Sequence, residues 1–249
     1  MHSQMNSFPN NKKDSLIKLE NVSKSFDNAE VLKNISLTVN KGEFISILGP
    51  SGCGKSTLFN IITGLMKADS GVVSVEGNIG YMQQKDLLLP WKTVLNNVVL
   101  PLDIRGENKK VSIEKAMKYI DVMGLKGYEN KFPYELSGGM KQRASFLRTF
   151  LSSEEIMLLD EPFGALDSIT KGKMQKWLLD MKSMLVNTVL FITHDIEEAI
   201  FLSDRIYVLS SRPGVIKEEI AIDFCRENKL NRLLSQELLN TKEHILEIL

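Results

Sequence analysis

The sequence predicts an α/β fold: a largely parallel sheet covered by helices on both faces, with a helix-rich segment inserted into it. Three observations carry this. β-favouring runs recur along the chain, amphipathic helical patterns separate them, and residues 85–153 hold helical patterns without a strand signal.

The strand-like runs are residues 17–23, 35–39, 43–48, 71–76, 156–160, 189–193, 205–209 and 215–221, each alternating or continuously apolar. Helical patterns occupy 55–63, 112–123, 137–151, 169–185 and 196–202, with apolar residues recurring at three- and four-residue intervals. The insert is punctuated by Pro90, Pro101, Gly106, Gly124, Gly127 and Pro133. Residues 228–249 carry Leu230, Leu233, Leu234, Leu238, Ile245 and Ile248 at helical spacing, the stripe of a helix that docks on the core or binds a partner. Residues 1–15 are rich in Asn, Ser and Lys and read as a disordered lead-in, so that 16–249 form one domain.

Hydrophobic residues make up 43% and charged residues 25% of the 249, which excludes both a disordered polyelectrolyte and a membrane-embedded chain. Lys plus Arg (31) equals Asp plus Glu (31), so the basic footprint of a nucleic-acid binder is missing. The longest apolar runs, such as Ile156-Met157-Leu158-Leu159, are far short of the roughly 20 residues that span a bilayer. The first residues lack an apolar signal core, and Cys53 and Cys225 are far apart without Cys or His neighbours at metal-ligand spacing. Reducing cytosol is the expected compartment.

Gly49-Pro50-Ser51-Gly52-Cys53-Gly54-Lys55-Ser56 fits G-x-x-x-x-G-K-[ST] and lies between an apolar run and a helical pattern. Its glycines let successive N–H groups curl inward, and the following helix adds its positive end to that nest. Lys55 then neutralises β- and γ-phosphates, and the Ser56 hydroxyl is placed for Mg²⁺. Cys53 sits inside the loop, where it is either an inert small residue or a thiol whose modification crowds a nucleotide. The run Ile156-Met157-Leu158-Leu159-Asp160-Glu161 ends in two acids, which suits Asp160 to hold Mg²⁺ through water and Glu161 to polarise an attacking water. Leu136-Ser137-Gly138-Gly139-Met140-Lys141-Gln142-Arg143 opens a long helical pattern with an N-capping Ser and two unobstructed glycines, either a plain capped helix start or a second anion-binding device.

With these motifs in this order, the sequence resembles the ATP-binding subunit of ABC transporters over nearly the whole chain after Leu16. The resemblance implies a P-loop NTPase core of ABC type, with an antiparallel β subdomain and the inserted helical subdomain. Leu136-Ser137-Gly138-Gly139-Met140 is similar to the family's LSGGQ element, with Met140 where Gln is commonest. Gln84 resembles the Q-loop glutamine, Ala165-Leu166-Asp167 the D-loop, Thr193-His194-Asp195 the switch histidine, and Phe26 the aromatic that stacks on adenine. By themselves Phe26 reads as a core aromatic, His194 as a structural histidine and Gln84 as a surface amide.

The resemblance further implies that ATP is held by Phe26, Gly49, Pro50, Ser51, Gly52, Cys53, Gly54, Lys55, Ser56 and Thr57. Ser137, Gly138, Gly139 and Asp167 reach it from a second copy. Mg²⁺ falls to Ser56, Gln84 and Asp160, and hydrolysis to Glu161, His194, Lys55 and Gln84. Gly164 stands where the D-loop often has Ser, and Gln83 where an aromatic or Pro is frequent. Residues 161–167, Leu89-Pro90-Trp91, residues 194–199 and Ser211-Arg212-Pro213-Gly214 are similar to the nitrate, sulfonate and taurine importers, a group in which some members carry pyrimidine precursors of thiamine. Implied is an ATPase subunit on the cytoplasmic face of the membrane, acting as a homodimer or paired cassette with integral-membrane permease subunits. A periplasmic or lipid-anchored solute-binding protein acts indirectly, and the groove near Gln84 to Trp91 is the expected coupling surface. A soluble ABC ATPase of DNA repair or translation is disfavoured, because a second cassette and long coiled-coil or zinc insertions are missing.

Overall fold

The computed structural model describes residues 15–153, 155–184, 188–222 and 236–249. The expected lead-in therefore lies outside the described residues except for Ser15, as do Cys225 and residues 228–235 of the expected last helix. Strands β1 (Ser15–Phe26) and β2 (Ala29–Asn40) form a long antiparallel hairpin. Its tip is Asp27-Asn28, at φ 47° and 65°, the left-handed region that these short polar residues tolerate. β1 also pairs with β4 (Ser70–Val75), which makes a separate three-stranded antiparallel sheet in the order β2-β1-β4. The runs at 17–23, 35–39 and 71–76 thus belong to an antiparallel layer and not to the parallel sheet.

The parallel sheet comprises β3 (Phe44–Leu48), β5 (Ile79–Met82), β6 (Ile156–Asp160), β7 (Thr188–Thr193) and β8 (Arg205–Leu209). With β9 (Ile216–Ala221), antiparallel on the β8 edge, the order is β5-β6-β7-β3-β8-β9. Every residue of β3, β6 and β7 is buried, as strands covered on both faces require. Alternating side chains feed two cores. Phe44, Leu159 and Phe191 meet Val98, Phe146 and Met174 on one face, while Ile45, Leu158 and Ile192 meet Leu19, Ile35 and Phe59 on the other.

The helices are α1 (Lys55–Ile62), α2 (Val94–Ile104), α3 (Lys109–Ile120), α4 (Gly138–Ser152), α5 (Ser168–Met184), α6 (Ile196–Leu202) and α7 (Gln236–Ile248). Between 85 and 153 the described residues hold α2, α3, α4 and a 3₁₀ turn and no strand, as expected of the insert. α7 docks on the core: Leu238 and Ile245 are buried against Leu48, Ile206 and Ile200, and Lys242 pairs with Glu197 at 2.6 Å. Among the described residues no helix is long and apolar enough to cross a membrane.

Two elements escape the sequence patterns. α2 contains Pro101 and an Asn pair, both poor helix signals. Thr93 caps it by accepting from the Asn96 N–H at 3.3 Å, and the fully buried Asn97 ties it to the preceding loop. The Asn97 amide donates to the Leu89, Lys92 and Thr93 carbonyls and accepts from the Leu89 N–H. β5 is too short to show a period, and its Gly80 is required by the close approach of the Ser153 side chain.

Candidate functional site

The phosphate-loop sequence leaves the C-terminal end of β3, where ligands of open α/β sheets gather, and enters α1. Gly54 caps α1 at φ 102°, and a Cβ there would lie 2.8 Å from Leu32 Cδ2, so only glycine fits. Lys55 is buried, with Nζ donating to the Gly49 carbonyl at 2.7 Å and the Pro50 carbonyl at 2.8 Å. The loop therefore carries its cation inside its own ring of backbone. A cleft of about 430 Å³ opens beside it, lined by Phe26, Val31, Ser51, Gly52, Gly54, Lys55, Ser56, Thr57, Gln84, Asp160, Glu161, Ile192 and Arg212.

Gly49, Pro50 and Cys53 are not in that wall. The first two lend carbonyls to Lys55, and Cys53 is buried, with Sγ 3.8 Å from Lys55 Nζ and its N–H directed at the Pro50 carbonyl at 3.4 Å. Phe26 is 40% exposed, so it is not a core aromatic; Lys24 Nζ lies 5.5 Å from its ring centroid.

Asp160, at the end of β6, is 3% exposed, and its carboxylate accepts a hydrogen bond from Ser56. Burial pushes its carboxyl above the usual Asp range, and nearby Glu161 adds to this, while the Ser56 hydrogen bond and Lys55 pull the other way. A hydroxyl and a carboxylate side by side suit Mg²⁺, which takes one or two protein ligands and fills its shell with phosphate oxygens and water. Among the described residues no group of three or more His, Cys, Asp or Glu offers an all-protein metal site instead.

Glu161 is non-glycine at φ 47°, a conformation that costs on the order of 1–3 kcal/mol and survives only where its surroundings fix it. Its N–H donates to the Ile192 carbonyl at 3.1 Å, and its carbonyl accepts from Gln142 Nε2 at 3.0 Å and the Gly164 N–H at 3.3 Å. The turn aims the carboxylate into the cleft, where Oε2 accepts from Gln84 Nε2 at 3.0 Å and Oε1 lies 3.3 Å from His194 Nδ1. Three side chains far apart in sequence thus meet. Behind His194, Thr193 Oγ1 donates to Glu198 at 2.5 Å, and Lys171 bridges Asp195 at 2.7 Å and Glu198 at 2.6 Å. Asp195 also caps α6, and Lys171 and the backbone N–H groups of that helix hold its carboxyl below the usual range against the effect of burial.

Ser137, Gly138, Gly139 and Asp167 do not line this chain's own cleft. Ser137 caps α4 by accepting from the Met140 N–H at 3.3 Å, Gly138 faces open space, and Gly139 packs on the Ala165 carbonyl and Leu166. Asp167 caps α5, accepting from the Ile169 and Thr170 N–H groups at 3.1 and 3.0 Å, and the Thr170 hydroxyl together with these N–H groups lowers its carboxyl from the usual range. Trp91 and Leu87, between Gln84 and α2, are 71% and 50% exposed.

Two residues went unassigned in the sequence. Gln142 is buried and bridges α4 to the Glu161 turn, donating to the Glu161 carbonyl and accepting from the Ala165 N–H, each at 3.0 Å. Its one sequence signal is an amide on the face of α4 that also carries Phe146 and Thr149. Arg212 lines the cleft through a hairpin tip; the sequence marked it only within Ser211-Arg212-Pro213-Gly214, without a role.

The ABC transporter family model matches residues 32–164. The formylaminopyrimidine import ATP-binding protein ThiZ of Halalkalibacterium halodurans is 43% identical over 239 residues, covering 94% of this chain and 96% of that protein. The nitrate import ATP-binding protein NrtD of Synechocystis sp. is 44% identical over 200 residues, covering 77% and 75%. A dimeric post-hydrolysis structure of the ATP-binding cassette MJ0796, bound to ADP and Pi, has a TM-score of 0.76 at 32% identity and covers 84% of this chain and 100% of that one. Motif order, sheet order and matched length agree: the chain belongs to the ABC transporter family, among its ATP-binding cassettes.

Proposed function

We propose that this chain is the ATP-hydrolysing subunit of an importer, driving uptake of a small solute through separate membrane subunits. The observation that carries the reading is the meeting of Gln84, Glu161 and His194 at the end of β6, where Gln84 and Glu161 line the cleft together with Lys55, Ser56 and Asp160 and His194 reaches Glu161 from beside it. The phosphates of ATP sit on the N–H groups of the loop entering α1, with the Lys55 ammonium neutralising the β and γ positions. Glu161 orients water and accepts its proton, Gln84 positions the Glu161 carboxylate, and His194 donates a hydrogen bond to the γ-phosphate. Ser56, Asp160 and Gln84 would hold Mg²⁺, which supplies charge neutralisation for the phosphate oxygens.

Ser137, Gly138, Gly139 and Asp167 act on the ATP of a second cassette. The exposure of Ser137, Gly138 and Asp167 away from this chain's own cleft supports this, as does the dimeric state of the MJ0796 cassette. Permease subunits dock at Leu87 and Trp91, next to Gln84, which places the chain on the cytoplasmic face of the membrane. The relatives named for formylaminopyrimidine and nitrate import support a small solute of the pyrimidine or the nitrate, sulfonate and taurine kind.

The test is ATP turnover by the purified chain and by Glu161→Gln. A loss of roughly 10²–10⁴-fold is expected for removal of a general base. Unaltered turnover refutes the assignment.

A further inference from the structure

We infer that Arg212 is a nucleotide-binding residue, its guanidinium donating to the phosphate chain of ATP from the tip of the β8–β9 hairpin. The inference rests on the reading of the cleft as an ATP site. Arg212 sits at the tip of the β8–β9 hairpin and is one of the residues lining the cleft. The tip is tightly tied: Ser210 Oγ donates to the Pro213 carbonyl at 2.9 Å and accepts from the Val215 N–H at 3.0 Å, and the Ser210 N–H donates to the Val215 carbonyl at 2.9 Å. It is also anchored to β2, with the Gly214 N–H on the Val31 carbonyl at 2.8 Å and the Lys33 N–H on the Gly214 carbonyl at 3.0 Å.

The tip leans on the phosphate loop itself. Gly214 packs so closely on the Cys53 carbonyl that no side chain fits there, and a Cβ at Gly49 would lie 3.0 Å from the Leu209 carbonyl. Arg212 is thus carried by a backbone braced against both halves of the loop. Its side chain is exposed, and among the described residues no hydrogen bond or ion pair engages it. Asp160 and Glu161 line the same cleft but neither pairs with Arg212, and a fixed backbone carrying an unpaired cation beside an anion-binding loop suits the phosphates as its partner. Lys55 neutralises the phosphates from inside the loop, whereas Arg212 approaches them from the rim.

The experiment measures binding of ATP and of adenosine to the full chain carrying Glu161→Gln, alone and with Arg212→Ala or Arg212→Lys, at low and high salt. Loss of one charge-assisted hydrogen bond should weaken ATP binding about tenfold in Arg212→Ala, less in Arg212→Lys, with adenosine unaffected and the gap narrowing as salt rises. Three results overturn the inference: ATP affinity within twofold of the parent, an equal loss for adenosine, or a loss in Arg212→Ala accompanied by a lowered melting temperature. A parent chain that binds no ATP refutes the ATP-site reading itself, so the two failures are told apart.

Discussion

Gln142→Leu removes the amide that holds the Glu161 turn while keeping a side chain of similar volume. Two hydrogen bonds of 3.0 Å are lost, one to the Glu161 carbonyl and one from the Ala165 N–H. At about 1 kcal/mol net each, with a further ~1 kcal/mol for the stranded Ala165 N–H, the variant should lose about 2–3 kcal/mol. In a domain of this size that lowers the melting temperature by roughly 4–12 °C. The functional effect is separate. The left-handed conformation of Glu161 is imposed by its partners, so without Gln142 the carboxylate spends less time between Gln84 and His194. Turnover should fall about tenfold while the KM for ATP stays within twofold, as expected of a positioning residue. Gln142→Glu keeps the bond from Ala165 but sets a buried carboxylate oxygen against the Glu161 carbonyl, and should show the same kcat defect with a larger loss of stability. Steady-state kinetics beside thermal melts decide it: a lowered melting temperature with wild-type kcat in both variants refutes the reasoning.

Asp160, whose carboxyl is raised in the folded state, contributes stability that is fully present below about pH 4 and is lost as pH rises through the folded value. Asp160→Asn should therefore melt higher than the parent near pH 7 without Mg²⁺ or nucleotide, with the gap closing towards pH 4; a variant less stable at pH 7 contradicts this. Glu161→Gln with saturating ATP and Mg²⁺ should run as a dimer in light scattering, and adding Ser137→Ala should weaken that dimer without changing the affinity of the monomer for nucleotide. Trp91→Glu should leave ATP binding intact and abolish docking to the permease in pull-down assays, since its 71% exposed indole packs on little of its own chain. Cys53, with its thiol buried against Lys55 and Gly49, should react with maleimides only on unfolding, so modification and loss of far-UV signal should coincide in a denaturant titration.

Much of the parallel sheet was legible because its strands are buried on both faces: β3, β6 and β7 are nearly unbroken apolar runs. The hairpin of β1 and β2 read as shorter because several register shifts interrupt its alternation. β5 is brief and interrupted by Gly80, and in α2 the propensity cost of Pro101 is outweighed by Thr93 and Asn97, whose bonds are visible only once the chain is folded. In the site, each half was a local pattern: the loop before Lys55, the acids at 160 and 161, the Ser-Gly-Gly turn. The approach of Gln84 and His194 to Glu161 is tertiary, and no spacing encodes it. Gln142 and Arg212 stayed unassigned for the same reason: one acts through backbone groups some twenty residues away, the other through a hairpin tip whose position depends on β2.

β5 is the sheet's shortest strand and lies at its edge, with β6 as its one neighbour through four residue pairs. Gln84 follows its last residue by two positions, and Met82 packs in the same cluster as Val98 and Phe146 of the helical insert. Tension arriving from a docked permease would peel open this small seam long before it disturbed β3 or β7, and the Glu161 carboxylate would feel the slack through the Gln84 amide. Deuterium should accordingly enter Tyr81 and Met82 well ahead of Ile47 and Ile192, the amides next to Gln84 serving as a gauge of how taut the machine is between strokes.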